Sequence, residues 1–357
     1  MSNPHLVVAV SAHGFGHFAQ IAPVVNALWR RIPALRVSLL TGLGRSVLAS
    51  RLNGEFEVIS TASDFGLRMH SAFDVDVEAS LRAYLELLAQ WEQRVDVECK
   101  LLRSLQPDLI LANVPFITLA AAAKAEIPAV ALGSLNWLSI LQYYFRNLPG
   151  AQLLLEKLHT TYNQSILFIR TTPSMPMTDI ARQHLVGPIA TLGVNRNAEL
   201  RARLQVADNV KIALVTPGGI ETGTPHADWP YHSQIVWILP AQWGLRRADI
   251  AQHPDFGWPF QDLVASSDVV VTKPGYGSIA EAVCNGVPLI LAPRGDWPEE
   301  PFLMDWLKEL NAAQFIDKSQ FMTGQMVPEV LASVRPARAV EPTGVEEAAN
   351  LLLPFLV

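Results

Sequence analysis

The chain has 357 residues, half of them hydrophobic and 17% charged, with a formal charge of −6. That length points to two domains, and the composition excludes a disordered, collagen-like or coiled-coil chain. With 33 acids against 27 bases there is no basic footprint for nucleic acid, so an anionic ligand has to be held locally by helix ends and a few cations.

Residues 5–10 form an apolar run that predicts a buried strand, and residues 19–31 predict a helix ending before Pro33. Strands follow at 35–41 and 56–60. From 78 to 105, apolar residues recur at Leu81, Leu85, Leu88, Val95, Leu102 and Leu105, which predicts one long helix stopped by Pro107. Residues 109–112 and 129–132 predict strands with a helix at 119–125 between them. Asn136 to Phe145 is apolar and aromatic. It reads as core, with an acceptor-site lining or a lipid contact as the alternatives. Residues 170–179 carry two prolines and no apolar period, and Val186-Gly-Pro-Ile189 then marks a domain junction. A second alternating set comprises strands at 211–215, 235–239, 269–272 and 288–292, with helices at 259–266, 278–285 and about 300–309. Residues 345–355 predict a terminal helix.

Strand–helix alternation with continuous apolar strands means parallel sheets covered on both faces. The expected class is α/β, with two Rossmann-like doubly wound domains facing a cleft, 1–185 and 186–340. Ligands of such sheets sit beyond the carboxyl ends of the strands. Cys99 and Cys284 are too few and too far apart for a disulfide framework or a thiolate cluster. No basic leader precedes the first apolar run, and no run reaches the length of a spanning helix, so the expectation is a soluble, cytoplasmic protein.

Four loops carry the chemistry. Ser11-Ala-His-Gly-Phe-Gly-His17 follows the first strand. Gly14 and Gly16 let the backbone turn tightly toward a ligand, the next helix offers its N-terminus to an anion, and His17 is placed to take a proton. The plain alternative is a tight turn with His17 as a cap. The segment also fits a dinucleotide fingerprint, but the second strand ends Leu39-Leu-Thr-Gly42 without the ribose-binding acid. Two glycines between His13 and His17 argue against a shared metal, and Asp74-Val-Asp76 reads as a chance triplet. Thr216-Pro-Gly-Gly219 is the second loop, in which Gly218 and Gly219 either bare main-chain amides to a ligand or simply form a turn. The third runs through Lys273-Pro-Gly-Tyr-Gly-Ser278 into a helix, with Gly275 and Gly277 baring its start beneath a diphosphate and Lys273, one of seven lysines, beside it. Glu281 suits the hydroxyls of a ribose, yet Ser278-Ile-Ala-Glu281 also spells a capping box. The fourth, Arg294-Gly-Asp-Trp-Pro-Glu-Glu-Pro-Phe302, sets Asp296, Glu299 and Glu300 at a helix start, where acids suit either the helix dipole or sugar hydroxyls.

These loops, in this order, resemble those of the GT-B glycosyltransferases. They are similar to the glycosyltransferase-like N-terminal region of plant L-arabinokinases, with its glycine–histidine loop and Glu-Glu-Pro-Phe-Leu segment. They are also similar to the lipid-linked UDP-N-acetylglucosamine transferase of peptidoglycan synthesis. The resemblance implies a sugar transferred from a nucleotide diphosphate donor, with UDP as the expected nucleotide, to an unidentified acceptor, with inversion and without a metal or cofactor. It assigns His17 as base, Asn113 as its partner, and Gly14, Gly16, Gly218, Gly219, Lys273, Gly275, Gly277, Ser278, Glu281, Arg294, Glu299 and Glu300 to the donor. It also implies that 341–357 is a helix crossing back to the first domain. Two departures stand out: Asn113 replaces the family's aspartate, and Glu299-Glu300 replaces an amide on the donor sugar. The rival readings are a nucleotide-sugar hydrolase, a non-catalytic nucleotide-sugar-binding module and, last, a dinucleotide oxidoreductase.

Overall fold

The computed structural model describes residues 3–11, 15–61, 64–71, 73–216, 229–325, 330–331, 334 and 337–357. They fall into two compact units: Met1–His70, Val75–Ile189 and Thr343–Val357 form the first, and Ser71–Asp74 with Ala190–Pro342 form the second.

In the first unit β1 (His5–Val10), β2 (Arg36–Thr41), β3 (Glu57–Ser60), β4 (Leu109–Asn113), β5 (Ala129–Gly133), β6 (Leu167–Thr171) and β7 (Gln183–Val186) make one sheet in the order β3-β2-β1-β4-β5-β6-β7. Every pairing is parallel. The helices between them are α1 (Phe15–Arg31), α2 (Arg45–Ala49), α3 (Val77–Ala89), α4 (Trp91–Leu105), α5 (Phe116–Ala125), α6 (Trp137–Phe145) and α7 (Ala151–Gln164). β1, β4 and β5 are buried along their whole length, which is why they read as unbroken apolar runs.

The second unit repeats the winding. α8 (Asn197–Leu204) leads into β8 (Lys211–Thr216), β9 (Ile235–Leu239), β10 (Ile250–Gln252), α9 (Phe260–Ser266), β11 (Val269–Thr272), α10 (Tyr276–Cys284), β12 (Leu289–Leu291), α11 (Glu300–Glu309), β13 (Ala313–Phe315) and α12 (Lys318–Thr323). The strand order is β10-β9-β8-β11-β12-β13, parallel throughout. In each sheet the chain runs outward to one edge, returns to the centre and runs outward to the other. The switch points lie between β1 and β4 and between β8 and β11, where ligands of such sheets bind.

The chain then returns to the first unit as α13 (Gly344–Leu352). Ala348, Ala349 and Leu352 are fully buried in the core beside Ile21, Val25 and Leu28 of α1. Gly187 and Gly344 make the close approach possible, since a Cβ on Gly344 would stand 2.0 Å from the Gly187 carbonyl oxygen.

Several elements depart from the sequence reading. The single helix expected at 78–105 is two, because Gln90 leaves the helical region (φ −103°, ψ 7°). The apolar period runs on across the break, so the pattern cannot show it. In α3 the buried stripe is Ser80, Tyr84 and Leu87, one residue ahead of the leucines counted. Residues 170–179 join β6 to β7, the edge strand, and the unit boundary falls after Ile189, at the end of the Val186–Ile189 segment read as the junction and four residues beyond the expected 185. The Asn136–Phe145 segment is core, since Trp137, Leu138, Ile140, Leu141 and Phe145 of α6 are all buried.

Candidate functional site

At the first switch point Val10 pairs with Asn113 in the β1–β4 register. α1 begins at Phe15, four residues before the expected start, so Gly16 and His17 lie in its first turn rather than in a loop before it. His17 is 8% exposed and Asn113 fully buried, and His17 Nδ1 lies 2.6 Å from Asn113 Oδ1. Which nitrogen carries the proton follows from a chain of partners. The Ser134 main-chain N–H donates to Gln20 Oε1 at 3.0 Å, fixing the Gln20 carboxamide, whose Nε2 donates to Ser134 Oγ. Gln20 Oε1 therefore accepts from Asn113 Nδ2 at 3.3 Å. Asn113 then presents its oxygen to the ring, Nδ1 carries the hydrogen, and Nε2 is left as the acceptor. Burial lowers the His17 pKa below its ordinary 6.5, against the hydrogen bond to Asn113, so the imidazole is neutral at pH 7.

Beneath this pair lies a carboxyl the sequence did not flag. Asp64 is 4% exposed and accepts from Trp137 Nε1 at 2.7 Å. Burial pushes its pKa up to about 6, with hydrogen bonds from Ser11 and Trp137 opposing. The Trp137 ring centroid stands 6.0 Å from that of His17. Gln20 was visible in principle, three residues beyond His17 on one helical face. Asp64 follows β3 in a stretch without period or motif, and nothing in the sequence marks it.

In the second unit Thr216 pairs with Thr272 at the switch point, and Ser278 Oγ lies 3.5 Å from Thr216 Oγ1. α10 starts at Tyr276 behind Gly275, with no side-chain cap. Its first amides have no carbonyl within the helix to bond. Gly275 has φ −165°, which any residue adopts, and a Cβ built on it meets nothing within 4 Å. Neither backbone conformation nor packing requires glycine there. Ser278 is the third residue of α10 and Glu281 stands in its second turn, 2% exposed, so the capping box is not formed. Gly277 is buried in the same first turn.

Lys273, at the end of β11, is 7% exposed, and its ammonium has no hydrogen-bond or ion-pair partner among the described residues. Burial and then the charge of Arg294 hold its pKa far below the ordinary lysine value, against the pull of Glu299 and Glu300. An anion bound beside such a lysine favours its charged form. Glu300 accepts from the main-chain N–H groups of Arg294 (2.7 Å) and Gly295 (3.1 Å), and Glu299 accepts from Trp297 Nε1 at 3.2 Å. The Arg294 guanidinium lies 4.8 Å from the centre of the Trp297 ring. Both acids are buried and build the 294–300 loop, rather than standing out toward solvent as acids at a helix start.

Lys273 stands three residues before the α10 start, within the electrostatic reach of Arg294, Glu299 and Glu300. Gly14, Gly218 and Gly219 lie outside the described residues, as does His13. Asp74 and Asp76 have separate duties: Asp74 pairs with Lys318 Nζ at 2.9 Å, and Asp76 caps α3 through the Ala79 N–H at 2.9 Å. Among the described residues no three His, Cys, Asp or Glu side chains converge as a metal set, and no helix is long and apolar enough to cross a membrane.

No protein-family model matches the chain. It is 26% identical over 374 residues to L-arabinokinase of Arabidopsis thaliana, covering 98% of this chain and 34% of that protein. The chain therefore spans about a third of the length of the curated relative it matches. Among solved structures it is similar to CalG4, the calicheamicin glycosyltransferase, with a TM-score of 0.61, 20% identity and coverage of 100% and 99% of the two chains. It is similar to Arabidopsis thaliana UGT89C1 complexed with UDP (TM-score 0.59, 14% identity, coverage 99% and 100%). It is also similar to the glycosyltransferase SnogD from Streptomyces nogalater (TM-score 0.58, 17% identity, coverage 100% and 95%). The fold is that of the GT-B glycosyltransferases: two Rossmann-like units with parallel sheets of seven and six strands.

Proposed function

We propose that the chain is a glycosyltransferase that moves a sugar from a nucleoside diphosphate donor, UDP-linked by preference, to an acceptor hydroxyl with inversion and without a metal. The observation that carries this reading is the fixed tautomer of His17. Asn113 holds Nδ1 at 2.6 Å and leaves Nε2 of a neutral imidazole as a base at the β1–β4 switch point. In the step, Nε2 takes the acceptor's hydroxyl proton as that oxygen bonds to the anomeric carbon. The bond from that carbon to the diphosphate oxygen breaks, and the nucleoside diphosphate leaves with the electron pair. The second unit is the donor side in this reading. The amides at the start of α10 and the buried Lys273 offset the charge that develops on the diphosphate. Gly16, Gly218, Gly219, Gly275, Gly277 and Ser278 belong to backbone approach, and Glu281 to the ribose. Arg294, Glu299 and Glu300 shape the loop at the sugar.

The test is His17→Ala with a panel of nucleotide sugars. Donor affinity is expected to stay near the native value while turnover falls by about 10² or more. Unchanged turnover removes His17 from the mechanism. A binding-only reading has one observation in its favour: Asn113 is neutral and cannot stabilise a protonated His17 by charge, as an aspartate does. Donor binding without consumption, with any acceptor or with water alone, selects that reading, and rapid donor loss without acceptor selects a hydrolase.

A further inference from the structure

Val114, the residue after the site asparagine, has φ +64° and is fully buried. The left-handed region is unfavourable for a β-branched side chain. A residue preceding proline, here Pro115, is also driven toward extended backbone. The turn cannot relax forward, because α5 starts at Phe116 and that side chain is fully buried in the core. It can relax only by rotating back into Asn113.

What opposes that rotation is Tyr162, from α7, 1% exposed. Its hydroxyl donates to the Val114 carbonyl oxygen at 2.7 Å and accepts from the Trp137 main-chain N–H at 3.2 Å. Burial raises the phenol pKa well above its ordinary value, so the hydroxyl keeps its proton. Trp137 is itself anchored through its indole to Asp64. We propose that Tyr162 is a positioning residue for His17: its hydroxyl locks the Val114 peptide in the left-handed turn, and that turn aims the Asn113 carboxamide at His17 Nδ1. The functional meaning of this arrangement rests on the reading of His17 as a base, but its test does not.

The readout is the His17 ring, observed by NMR in 15N-histidine-labelled full-length protein and assigned by its loss in His17→Gln. Native protein is expected to show one tautomer with a slowly exchanging Nδ1 proton. In Tyr162→Phe that proton exchanges about tenfold faster, the loss of roughly one hydrogen bond's net worth. Adding Val114→Gly slows it again, because glycine holds a positive φ without a Cβ penalty. A folded Tyr162→Phe protein with unchanged exchange overturns the proposal. So does a double variant whose proton exchanges as fast as in the single one. If Tyr162→Phe does not fold, the double variant decides: folding with the native His17 tautomer supports the proposal, and failure to fold overturns it. If His17→Ala leaves turnover intact while Tyr162→Phe still frees the ring proton, the base assignment falls and the positioning role stands.

Discussion

A single main-chain N–H, that of Ser134, decides which nitrogen of His17 carries its proton, through Gln20 and Asn113 in turn. Such a relay is specific because each member has one arrangement that satisfies the next. Asp64, under the same site, is a buried acid with a raised pKa, and this has a thermodynamic sign. Between its unfolded value near 3.8 and its folded value of about 6, the native state retains a proton that the unfolded state has lost. Its contribution to stability is therefore complete below about pH 4 and lost as pH rises through 6, by an amount on the order of 3 kcal/mol. Denaturation of native protein and Asp64→Asn at about pH 4 and pH 7 is expected to show native protein losing that much relative to the variant at the higher pH. An unchanged difference between the two proteins would mean the carboxyl titrates normally. At this scale His17 was marked by the glycine loop behind the first strand, and Asn113 only by the resemblance, which puts a partner for the histidine at the end of β4. Asp64, Trp137 and Tyr162 were not, because no motif or resemblance points to them and their roles arise only from contacts made on folding.

Among elements, the starts of α1 and α10 carry the candidate chemistry. The strands before both helices were readable from continuous burial. The helix starts were not, since glycine lowers helix propensity and Gly16 and Gly277 nonetheless lie in first turns. The same effect made Ser278 look like a cap. Two glycines now separate packing from ligand approach. Gly344→Ala drives a methyl to 2.0 Å from a main-chain oxygen and is expected to lower stability by about 1–3 kcal/mol or more. Gly275→Ala meets nothing within 4 Å and is expected to stay within about 0.5 kcal/mol of native stability. Its binding of a nucleoside diphosphate, followed by calorimetry, is expected to fall at least tenfold if the diphosphate rests on that backbone. Equal affinity would place the ligand elsewhere.

For the whole molecule, the strand–helix alternation made two Rossmann-like units legible. It did not show their interleaving: the return of Thr343–Val357 to the first unit was expected only from the resemblance, and the place of Ser71–Asp74 in the second from neither. Local periodicity reports which face of an element is apolar but not which core receives it. α13 buries Ala348, Ala349 and Leu352 in the first unit's core, and each buried leucine is worth about 1.5–3 kcal/mol. A protein lacking residues 343–357 is expected to lose amide-exchange protection in β1, β2 and β4 while β8 and β11 keep theirs. Uniform loss or uniform retention would show that α13 does not close one unit alone.

The return of α13 also sets a timetable for synthesis. The first unit's strands are all synthesised before residue 190, yet the helix that closes their core follows the whole 190–342 stretch. At about 5–20 residues per second, the nascent sheet waits on the order of ten seconds with an apolar flank uncovered. Over that interval, whatever shields the flank is what stands between productive folding and capture by other nascent chains.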